Sequence, residues 1–215
     1  LVDGDQVSGI AAIDRRERGL LAKDTVVITV MTNLGFHRGM AGHGVRIEQV
    51  PVGDRYVLEA LEDGGFTLGG EQSGHVIFAD QATTGDGLLT AVQLLDVVAR
   101  SGRPLADLAD DAMTRLPQVL RNVRVEAGAG ELAAAIADEV AAVESELGDD
   151  GRVLIRASGT EPLVRVMVEA PTAPQAEAAA ERLAAAVAAL DRPPGRHPGP
   201  TPGPDGQPRR GRPPR

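Results

Sequence analysis

A run of β-branched and apolar residues at positions 25–31 limits the possible folds of this chain more than any other stretch. The run reads TVVITVM and contains no charged residue, which is typical of a parallel strand buried on both faces of a sheet. A helical pattern at 34–41, a second strand pattern at 45–52 and a further helix after Gly53 follow it. This order predicts βαβ crossovers and a parallel sheet, so the first part of the chain is of the α/β class.

The helix predicted at 5–21 is preceded by two aspartates, Asp3 and Asp5, on either side of Gly4. Paired aspartates around a glycine occur in loops that bind cations. An aspartate in this position also caps a helix by accepting hydrogen bonds from its first N–H groups. We favour the cap.

The last part of the chain has a separate pattern of secondary structure. A strand at 118–126 and a helix at 131–147 precede an apolar hairpin at 152–170, and Thr172 begins the capping box of a final helix. The order β–α–β–β–α predicts a small α+β layer in which two helices cover one face of a sheet. The chain divides into three parts, an α/β domain, an α+β domain and a tail, at residues 1–115, 117–190 and 191–215.

The distribution of charge argues against some classes of partner. The chain has a net charge of −9, but its tail carries six arginines and two aspartates, so the body at 1–190 has a net charge of −13. An acidic body argues against nucleic acid as the main partner. The tail contains nine prolines and five glycines and has no apolar pattern, which predicts disorder.

Composition also indicates a cellular compartment. The chain has no cysteine, which excludes disulfides and thiolate metal sites and suits a reducing cytoplasm. No apolar run approaches the roughly 18 residues that a membrane span requires, and the first residues lack the basic and apolar regions of a signal peptide. The chain begins at Leu1 instead of a methionine, which suggests a fragment or a processed chain.

A polar loop between two short apolar runs is the first candidate site. Glu71, Ser73 and His75 lie there among glycines, between apolar residues at 66–68 and 76–78. In α/β sheets, polar loops at strand ends are where ligands bind. On an extended backbone Glu71 and Ser73 would face the same side and could hold neighbouring sugar hydroxyls, and His75 could move a proton. The alternative is a bulged hairpin with a capping glutamate and a surface histidine.

The second candidate site lies in the later hairpin, where the sequence RASGTEP joins two β-patterned runs. The guanidinium of Arg156 can hold two phosphate oxygens in a fork. Ser158 and Thr160 offer hydroxyl donors, and Gly159 allows backbone N–H groups to approach closely. Arg165 on the next strand could add a second guanidinium. These residue types suit a phosphate site, and a polar turn with a surface arginine is the alternative.

Four motifs, in their order and spacing, resemble the C-terminal half of an α-D-phosphohexomutase. They are GDRYV, GEQSGH, TTGDG and RASGTEP, beginning at Gly53, Gly70, Thr83 and Arg156. Within this family GDRYV, the LPQ sequence at Leu116 and the NVR sequence at Asn122 look most like the bacterial phosphoglucosamine mutases. The resemblance covers residues 1–190.

The resemblance implies a role for each part of the chain. Residues 1–115 would be the third of four domains and would contact the sugar through Glu71 and Ser73, while His75 matches a histidine that assists proton transfer. Residues 117–190 would be the mobile fourth domain, which holds the phosphate that is not transferred. The implied phosphate-binding residues are Arg156, Ser158, Gly159, Thr160 and, as a weaker addition, Arg165.

The implied reaction interconverts glucosamine 6-phosphate and glucosamine 1-phosphate, for UDP-N-acetylglucosamine and cell-wall precursor synthesis. It proceeds through a phosphoserine and a bisphosphate intermediate, with Mg²⁺ held by three aspartates. The sequence contains neither the serine–histidine phosphoserine loop nor the Asp-x-Asp-x-Asp metal loop of this family. The resemblance therefore places the nucleophile and the metal ligands in domains 1 and 2, upstream of Leu1, and predicts that this chain alone is inactive.

Two other functions are compatible with the same motifs. One is a phosphomannomutase or phosphoglucomutase, which belongs to the same family and differs in the sugar. The other is a non-enzymatic module that binds phosphosugars.

Overall fold

The computed structural model describes residues 1–126, 128–159 and 161–191. Residues before Pro117 build a first sheet and its helices, with elements α1 (Gly4–Glu17), β1 (Thr25–Thr29), α2 (Leu34–Gly42), β2 (Arg46–Val50), α3 (Asp54–Gly64), β3 (Leu68–Gly70), β4 (Val76–Phe78), α4 (Gly87–Ser101) and α5 (Leu105–Ala112). Later residues build a second sheet and its helices, with elements β5 (Gln118–Arg124), α6 (Ala129–Ala135), α7 (Ala137–Leu147), β6 (Arg152–Ala157), β7 (Leu163–Glu169) and α8 (Ala173–Leu190). Beyond Asp191, the predicted tail lies outside the described residues. In the described ranges no helix is both long and apolar enough to cross a membrane.

Strand β1 lies inside the first sheet. The strand order is β2-β1-β3-β4, and β1 is parallel to both of its neighbours. Every residue of β1 is buried, because α1 and α2 cover one face of the sheet and α3 covers the other. The predicted α/β class and the buried parallel strand are therefore confirmed, although the strand ends at Thr29 and not at residue 31.

Strand β4 departs from the parallel pattern. It pairs antiparallel with β3, with Leu68 opposite Phe78 and Gly70 opposite Val76. A parallel partner needs a crossover of about a dozen residues or more, and the short segment between Gly70 and Val76 has room only for a turn. Strands β3 and β4 therefore form a hairpin, and the predicted site residues lie in its turn.

Helix α1 begins at the predicted aspartate cap and ends earlier than predicted. The Asp3 carboxylate accepts a hydrogen bond from the Gln6 N–H at 3.0 Å, and the Gln6 side chain accepts one from the Asp3 N–H at 3.2 Å, which is a capping box. Gly19 then has a φ of 69°, a left-handed conformation that is common just after helices. The helix therefore stops at Glu17 and not at residue 21.

Helix α2 packs backbone against backbone on the last residue of α5 and on the segment that follows it. A Cβ atom added to Gly35 would lie 1.9 Å from the Thr114 carbonyl oxygen, and one added to Gly39 would lie 2.0 Å from the Ala112 carbonyl oxygen. Only glycine permits this approach. The two glycines therefore set how closely α2 approaches the end of the first domain.

The second sheet is antiparallel, with β7 in the middle of the order β5-β7-β6. One face packs its valines against α6, α7 and α8. We call the opposite face the open face. Three rows of this face cross all three strands, which are Gln118–Glu169–Arg152, Leu120–Met167–Leu154 and Asn122–Arg165–Arg156.

Two predictions for the helices of this sheet were wrong in detail. The helix expected at 131–147 is two helices that meet at Ile136, whose φ of −95° and ψ of 16° interrupt the helical geometry. Ile136 is 3% exposed, so the break places it in the core beside Val143. The buried face of α8 ends at Val187, so Leu190, expected on that face, is 51% exposed.

A buried carboxylate joins the two sheets. Glu169 is 0% exposed, and its Oε2 atom accepts hydrogen bonds from the Leu34 N–H at 2.9 Å and from Arg152 Nε at 3.1 Å. Its Oε1 atom accepts hydrogen bonds from Arg152 at 3.2 Å and from the Gln118 side chain at 2.6 Å. Arg152 also donates to the Thr32 carbonyl oxygen at 2.8 Å. Because a buried charge is stable only when it is paired and hydrogen-bonded, this network fixes the second sheet against the N-terminus of α2.

A second buried carboxylate lies beside this junction. Asp5 is 1% exposed, and its Oδ2 atom accepts hydrogen bonds from the Asn33 N–H at 3.0 Å and from the Gln72 side chain at 3.4 Å. Burial raises the pKa of the Asp5 carboxyl to about 6; the hydrogen bond from Asn33 opposes the increase and the charge of Asp3 adds to it. The Asn33 side chain also bonds to both backbone groups of Leu116 at 3.0 Å, so this cluster ties α1 to the end of the first domain.

We expect Gly39→Ala to destabilise the chain and Gly42→Ala not to. At Gly39 the new methyl group would overlap the Ala112 carbonyl oxygen, and overpacking of this kind costs about 1–3 kcal/mol. At Gly42, in the same helix, a Cβ atom would meet nothing within 4 Å, and alanine should stabilise the helix by a few tenths to about 1 kcal/mol. Urea denaturation measures both changes, and equal effects at the two positions would contradict the close packing of α2.

We expect the pKa of Asp5 to make stability fall as the pH rises from 3.8 to about 6. In this range the folded chain keeps the Asp5 proton and the unfolded chain loses it, so the folded state binds more protons and loses stability with increasing pH. The free energy of unfolding should fall by at most roughly 3 kcal/mol across the range. Asp5→Asn should remove this component in urea denaturation at a series of pH values.

The control for this pH series is Asp63→Asn, which removes one exposed carboxylate of the same domain. A pH profile of Asp5→Asn that matches those of the parent and of the control would show that Asp5 does not produce the dependence.

Candidate functional site

The turn between β3 and β4 holds the first three predicted site residues, Glu71, Ser73 and His75, which we call the turn site. The Glu71 N–H donates to the His75 carbonyl oxygen at 3.0 Å, and the Gly74 N–H donates to the Glu71 carbonyl oxygen at 2.9 Å. Gly74 has a φ of 94°. The segment is therefore a tight turn and not the extended backbone on which Glu71 and Ser73 were expected to face the same side. Ser73 is exposed, and Glu71 and His75 are half-buried.

Contacts with three other segments position this turn. The Gly53 N–H, just before α3, donates to Glu71 Oε1 at 3.1 Å. A Cβ atom at Gly85 would lie 2.3 Å from the His75 ring, and one at Gly4 would lie 2.4 Å from the Glu71 carbonyl oxygen. The GDRYV, GEQSGH and TTGDG motifs therefore meet around one turn, which packs on the first residues of α1.

The polar groups of the turn site suit the hydroxyls of a sugar. In the part of the chain that the structure describes, Glu71 Oε2, the Ser73 hydroxyl and the His75 ring nitrogens have no hydrogen-bond partner. They offer a carboxylate acceptor, a hydroxyl that can donate and accept, and ring nitrogens that can donate or accept. Asp86 is not available for a ligand in the same way, since its carboxylate accepts hydrogen bonds from Leu88 and Leu89 and caps α4.

The open face of the second sheet places two predicted phosphate-binding arginines opposite each other. Arg156 on β6 and Arg165 on β7 are register partners, so their Cβ atoms are about 5 Å apart. We call this pair, with the loop that joins the two strands, the arginine site. The Nε atoms of both arginines are buried and have no hydrogen-bond partner. The Glu161 carboxylate lies 3.9 Å from Arg165, and Arg156 has no ion pair with any described residue.

Electrostatics at the arginine site favour an anion. Burial lowers the pKa of the Arg156 guanidinium, and the positive charge of Arg165 lowers it further. The first effect is the removal of the guanidinium from water, and the second is repulsion between like charges. A phosphate placed between the two guanidinium groups would supply that partner through charge-assisted hydrogen bonds.

The loop after β6 extends the arginine site. The Ser158 N–H donates to the Leu163 carbonyl oxygen at 2.9 Å, and Ser158 Oγ accepts a hydrogen bond from the Glu161 N–H at 3.3 Å. A Cβ atom at Gly159 would meet nothing within 4 Å, so the exposed side of the loop is open. Thr160, which was predicted to contribute a hydroxyl, lies outside the described residues.

The structure does not bring the turn site and the arginine site into contact. No hydrogen bond or ion pair joins them among the described residues. Gln72 of the turn donates to the Gln118 side-chain oxygen at 3.2 Å, and Gln118 shares a row with Arg152 at the junction end of the second sheet. Arg156 is four residues further along β6, which is about 13 Å at the rise of a strand.

The acidic residues near the turn do not suit a metal ion. Within the described ranges, no group of three or more His, Cys, Asp or Glu residues could hold one. The Asp3 carboxylate is used as the cap of α1. The Asp5 carboxylate is buried and accepts hydrogen bonds from the Asn33 N–H and the Gln72 side chain. The cap that the sequence favoured at Asp3 is confirmed.

Sequence reasoning missed the residues of the junction. Arg152 begins the later hairpin and Glu169 ends it, and a hairpin register places such residues opposite each other. That opposition was a signal for an ion pair. Nothing in the sequence indicated that Leu34 and Gln118 would complete it.

Two family models match this chain. The model of phosphoglucomutase/phosphomannomutase, alpha/beta/alpha domain III, matches residues 3–116, and the model of the phosphoglucomutase/phosphomannomutase C-terminal domain matches residues 120–186. A phosphoglucosamine mutase of Frankia alni is 60% identical over 195 residues, which are 90% of this chain and 43% of the relative. Those of Saccharopolyspora erythraea and Oceanobacillus iheyensis are 57% and 53% identical over 88% and 87% of this chain. The chain spans 42–43% of the length of these relatives.

Solved structures share the fold at low sequence identity. Aspergillus fumigatus N-acetylphosphoglucosamine mutase, in complex with GlcNAc-6P and magnesium, has a TM-score of 0.74 and 22% identity over 89% of this chain and 45% of that chain. The substrate complex of an N-acetylglucosamine-phosphate mutase of the α-D-phosphohexomutase superfamily has a TM-score of 0.69 and 23% identity over 89% of this chain and 44% of that chain. As the four motifs predicted, the chain belongs to the phosphoglucomutase/phosphomannomutase family and contains its domain III and its C-terminal domain.

Proposed function

We propose that this chain is the substrate-binding C-terminal half of a phosphoglucosamine mutase, which interconverts glucosamine 6-phosphate and glucosamine 1-phosphate. The observation that carries the proposal is the opposed pair of Arg156 and Arg165, whose buried Nε groups lack the partner that a phosphate would supply. Relatives of 53–60% identity that are phosphoglucosamine mutases support glucosamine over mannose or glucose as the sugar.

In this proposal the two predicted domains divide the substrate between them. Residues 1–115 hold the sugar, with Glu71 and Ser73 at its hydroxyls. Residues 117–190 hold the phosphate that is not transferred. The proposed phosphate-binding residues are Arg156, Ser158, Gly159, Thr160 and Arg165.

The reacting end of the sugar then lies at the turn site. His75 is proposed to take the proton of the sugar hydroxyl as a phosphoryl group passes from a serine oxygen to that hydroxyl oxygen, which yields a bisphosphate and a free serine. The bisphosphate turns over, and its other phosphoryl group returns to the serine. Each site must therefore accept the same sugar in both orientations. Recognition of the phosphate by charge and of the sugar by paired hydroxyls would allow this.

The remaining machinery is proposed to lie in domains 1 and 2 of the full-length protein. The chain spans 43% of its Frankia alni relative, and its sequence lacks the family's phosphoserine and metal motifs. A magnesium ion held by those domains would balance the phosphate charge. The product would supply UDP-N-acetylglucosamine and cell-wall precursor synthesis in the cytoplasm.

We expect Arg156→Ala in the full-length protein to lower kcat/KM for glucosamine 6-phosphate by about 30-fold to 150-fold, which is roughly 2–3 kcal/mol for a lost charge-assisted contact. The loss should appear mainly as a higher KM, because the contact holds a phosphate that does not react and is present in both ground and transition states.

Arg156→Lys is the matched variant, since lysine keeps the charge and loses the planar fork. It should recover part of the affinity. Unchanged turnover and KM in Arg156→Ala would exclude the arginine site as the phosphate site and with it the proposed function.

We expect the 215-residue chain alone to show no mutase turnover in a ³¹P NMR assay with glucosamine 6-phosphate and magnesium, because the nucleophile is absent from its sequence. The full-length protein should show its highest kcat/KM with glucosamine phosphates. A dominant kcat/KM for mannose 1-phosphate would assign the protein to the phosphomannomutases, and turnover by the chain alone would place a nucleophile within it.

A further inference from the structure

Strand β5 places a third arginine beside the loop of the arginine site. Arg124 ends β5 opposite Leu163, the first residue of β7. The next residue, Val125, donates its N–H to the Pro162 carbonyl oxygen at 3.0 Å. The end of β5 is therefore hydrogen-bonded to the end of the loop that joins β6 to β7.

The alternation of side chains puts Arg124 on the open face. Val123 packs into the core beneath the helices, so its neighbours Asn122 and Arg124 lie on the other face of the sheet. Asn122 is the register partner of Arg165, and Arg156 is the partner of Arg165 on the far side. Arg124 and Arg156 therefore flank β7 from opposite sides.

We propose that Arg124 is a third phosphate-binding arginine of the arginine site, an inference that rests on the proposed function. Neighbouring strands are about 4.8 Å apart, so a phosphate above Arg165 would lie between the side chains of β5 and β6. Extended arginine side chains from both strands reach such a position. Asn122, beside Arg165, adds an amide donor to the same row.

The pairing of other arginines supports this assignment. Arg121 lies on β5 but on the helix side, where it forms an ion pair with Glu177. Arg124 is exposed and has no hydrogen-bond or ion-pair partner among the residues that the structure describes. In a body with a net charge of −13, three arginines around one loop, with Glu161 near one of them, form a local positive field that attracts anions.

The test is to titrate the 215-residue chain with glucosamine 6-phosphate and, separately, with inorganic phosphate, and to follow binding by NMR chemical shifts. Arg124→Ala should lower the affinity for both ligands by about tenfold, because the lost contact is to the phosphate group that both ligands contain. Arg124→Lys should recover part of the affinity. Arg121→Ala, on the same strand and the opposite face, is the control and should leave both affinities unchanged.

The outcomes separate this inference from the proposed function. If Arg156→Ala weakens binding while Arg124→Ala stays within about twofold of the parent, Arg124 is not a phosphate ligand and the proposed function stands. If neither variant weakens binding, or the parent binds neither ligand, the proposed function fails and this inference fails with it. The unfolding temperature of Arg124→Ala is measured as well. If it equals that of the parent, the loss of affinity is not caused by a loss of folded protein.

Discussion

The carboxylate of Glu169 is the interaction on which the arrangement of this molecule depends. It receives hydrogen bonds from the first N–H of α2 in one domain and from Arg152 and Gln118 in the other, and it has no exposed surface. The N-terminus of α2 and the guanidinium both supply hydrogen-bond donors to this carboxylate. Removal of one member of such a buried pair leaves an uncompensated charge and typically costs about 3–5 kcal/mol. The network therefore joins the second sheet to the N-terminus of α2 in this structure.

The position of the arginine site follows from that junction through the second sheet. The row Gln118–Glu169–Arg152 is followed by the apolar row Leu120–Met167–Leu154 and then by the arginine row. These strands are tied by one ladder of hydrogen bonds, so the arginines keep a fixed distance from the junction. The turn site is linked to the same junction, because the Gln72 side chain donates hydrogen bonds to both Asp5 and Gln118. Two sites without direct contact are thus positioned by one set of buried polar groups.

Local patterns in the sequence predicted local structure and little beyond it. The buried strand β1, the cap at Asp3 and the later hairpin follow from periodicity and capping chemistry, which act over a few residues. The conformation of the turn at Glu71 depends on a left-handed glycine and on contacts with three distant segments, and the sequence pattern carried neither. The junction pairs Leu34 with Glu169, 135 residues apart, a contact that only the complete fold creates. The motifs predicted candidate site residues by type, while the geometry of those residues required the structure.

The opposed arginines of the open face are hard to explain as a feature of folding alone. Like charges directly opposite on neighbouring strands are destabilising, whereas the preceding row places the apolar pair of Leu154 and Met167 in the equivalent positions. Elsewhere in the same domain, arginines form pairs with carboxylates, as Arg182 does with Glu139 and Glu146. In the proposed function, a phosphate between Arg156 and Arg165 would relieve their repulsion, and that relief would contribute to the affinity for phosphate. Recognition of this kind would depend on charge more than on the shape of the sugar, and the proposed function requires this because one sugar would bind in two orientations.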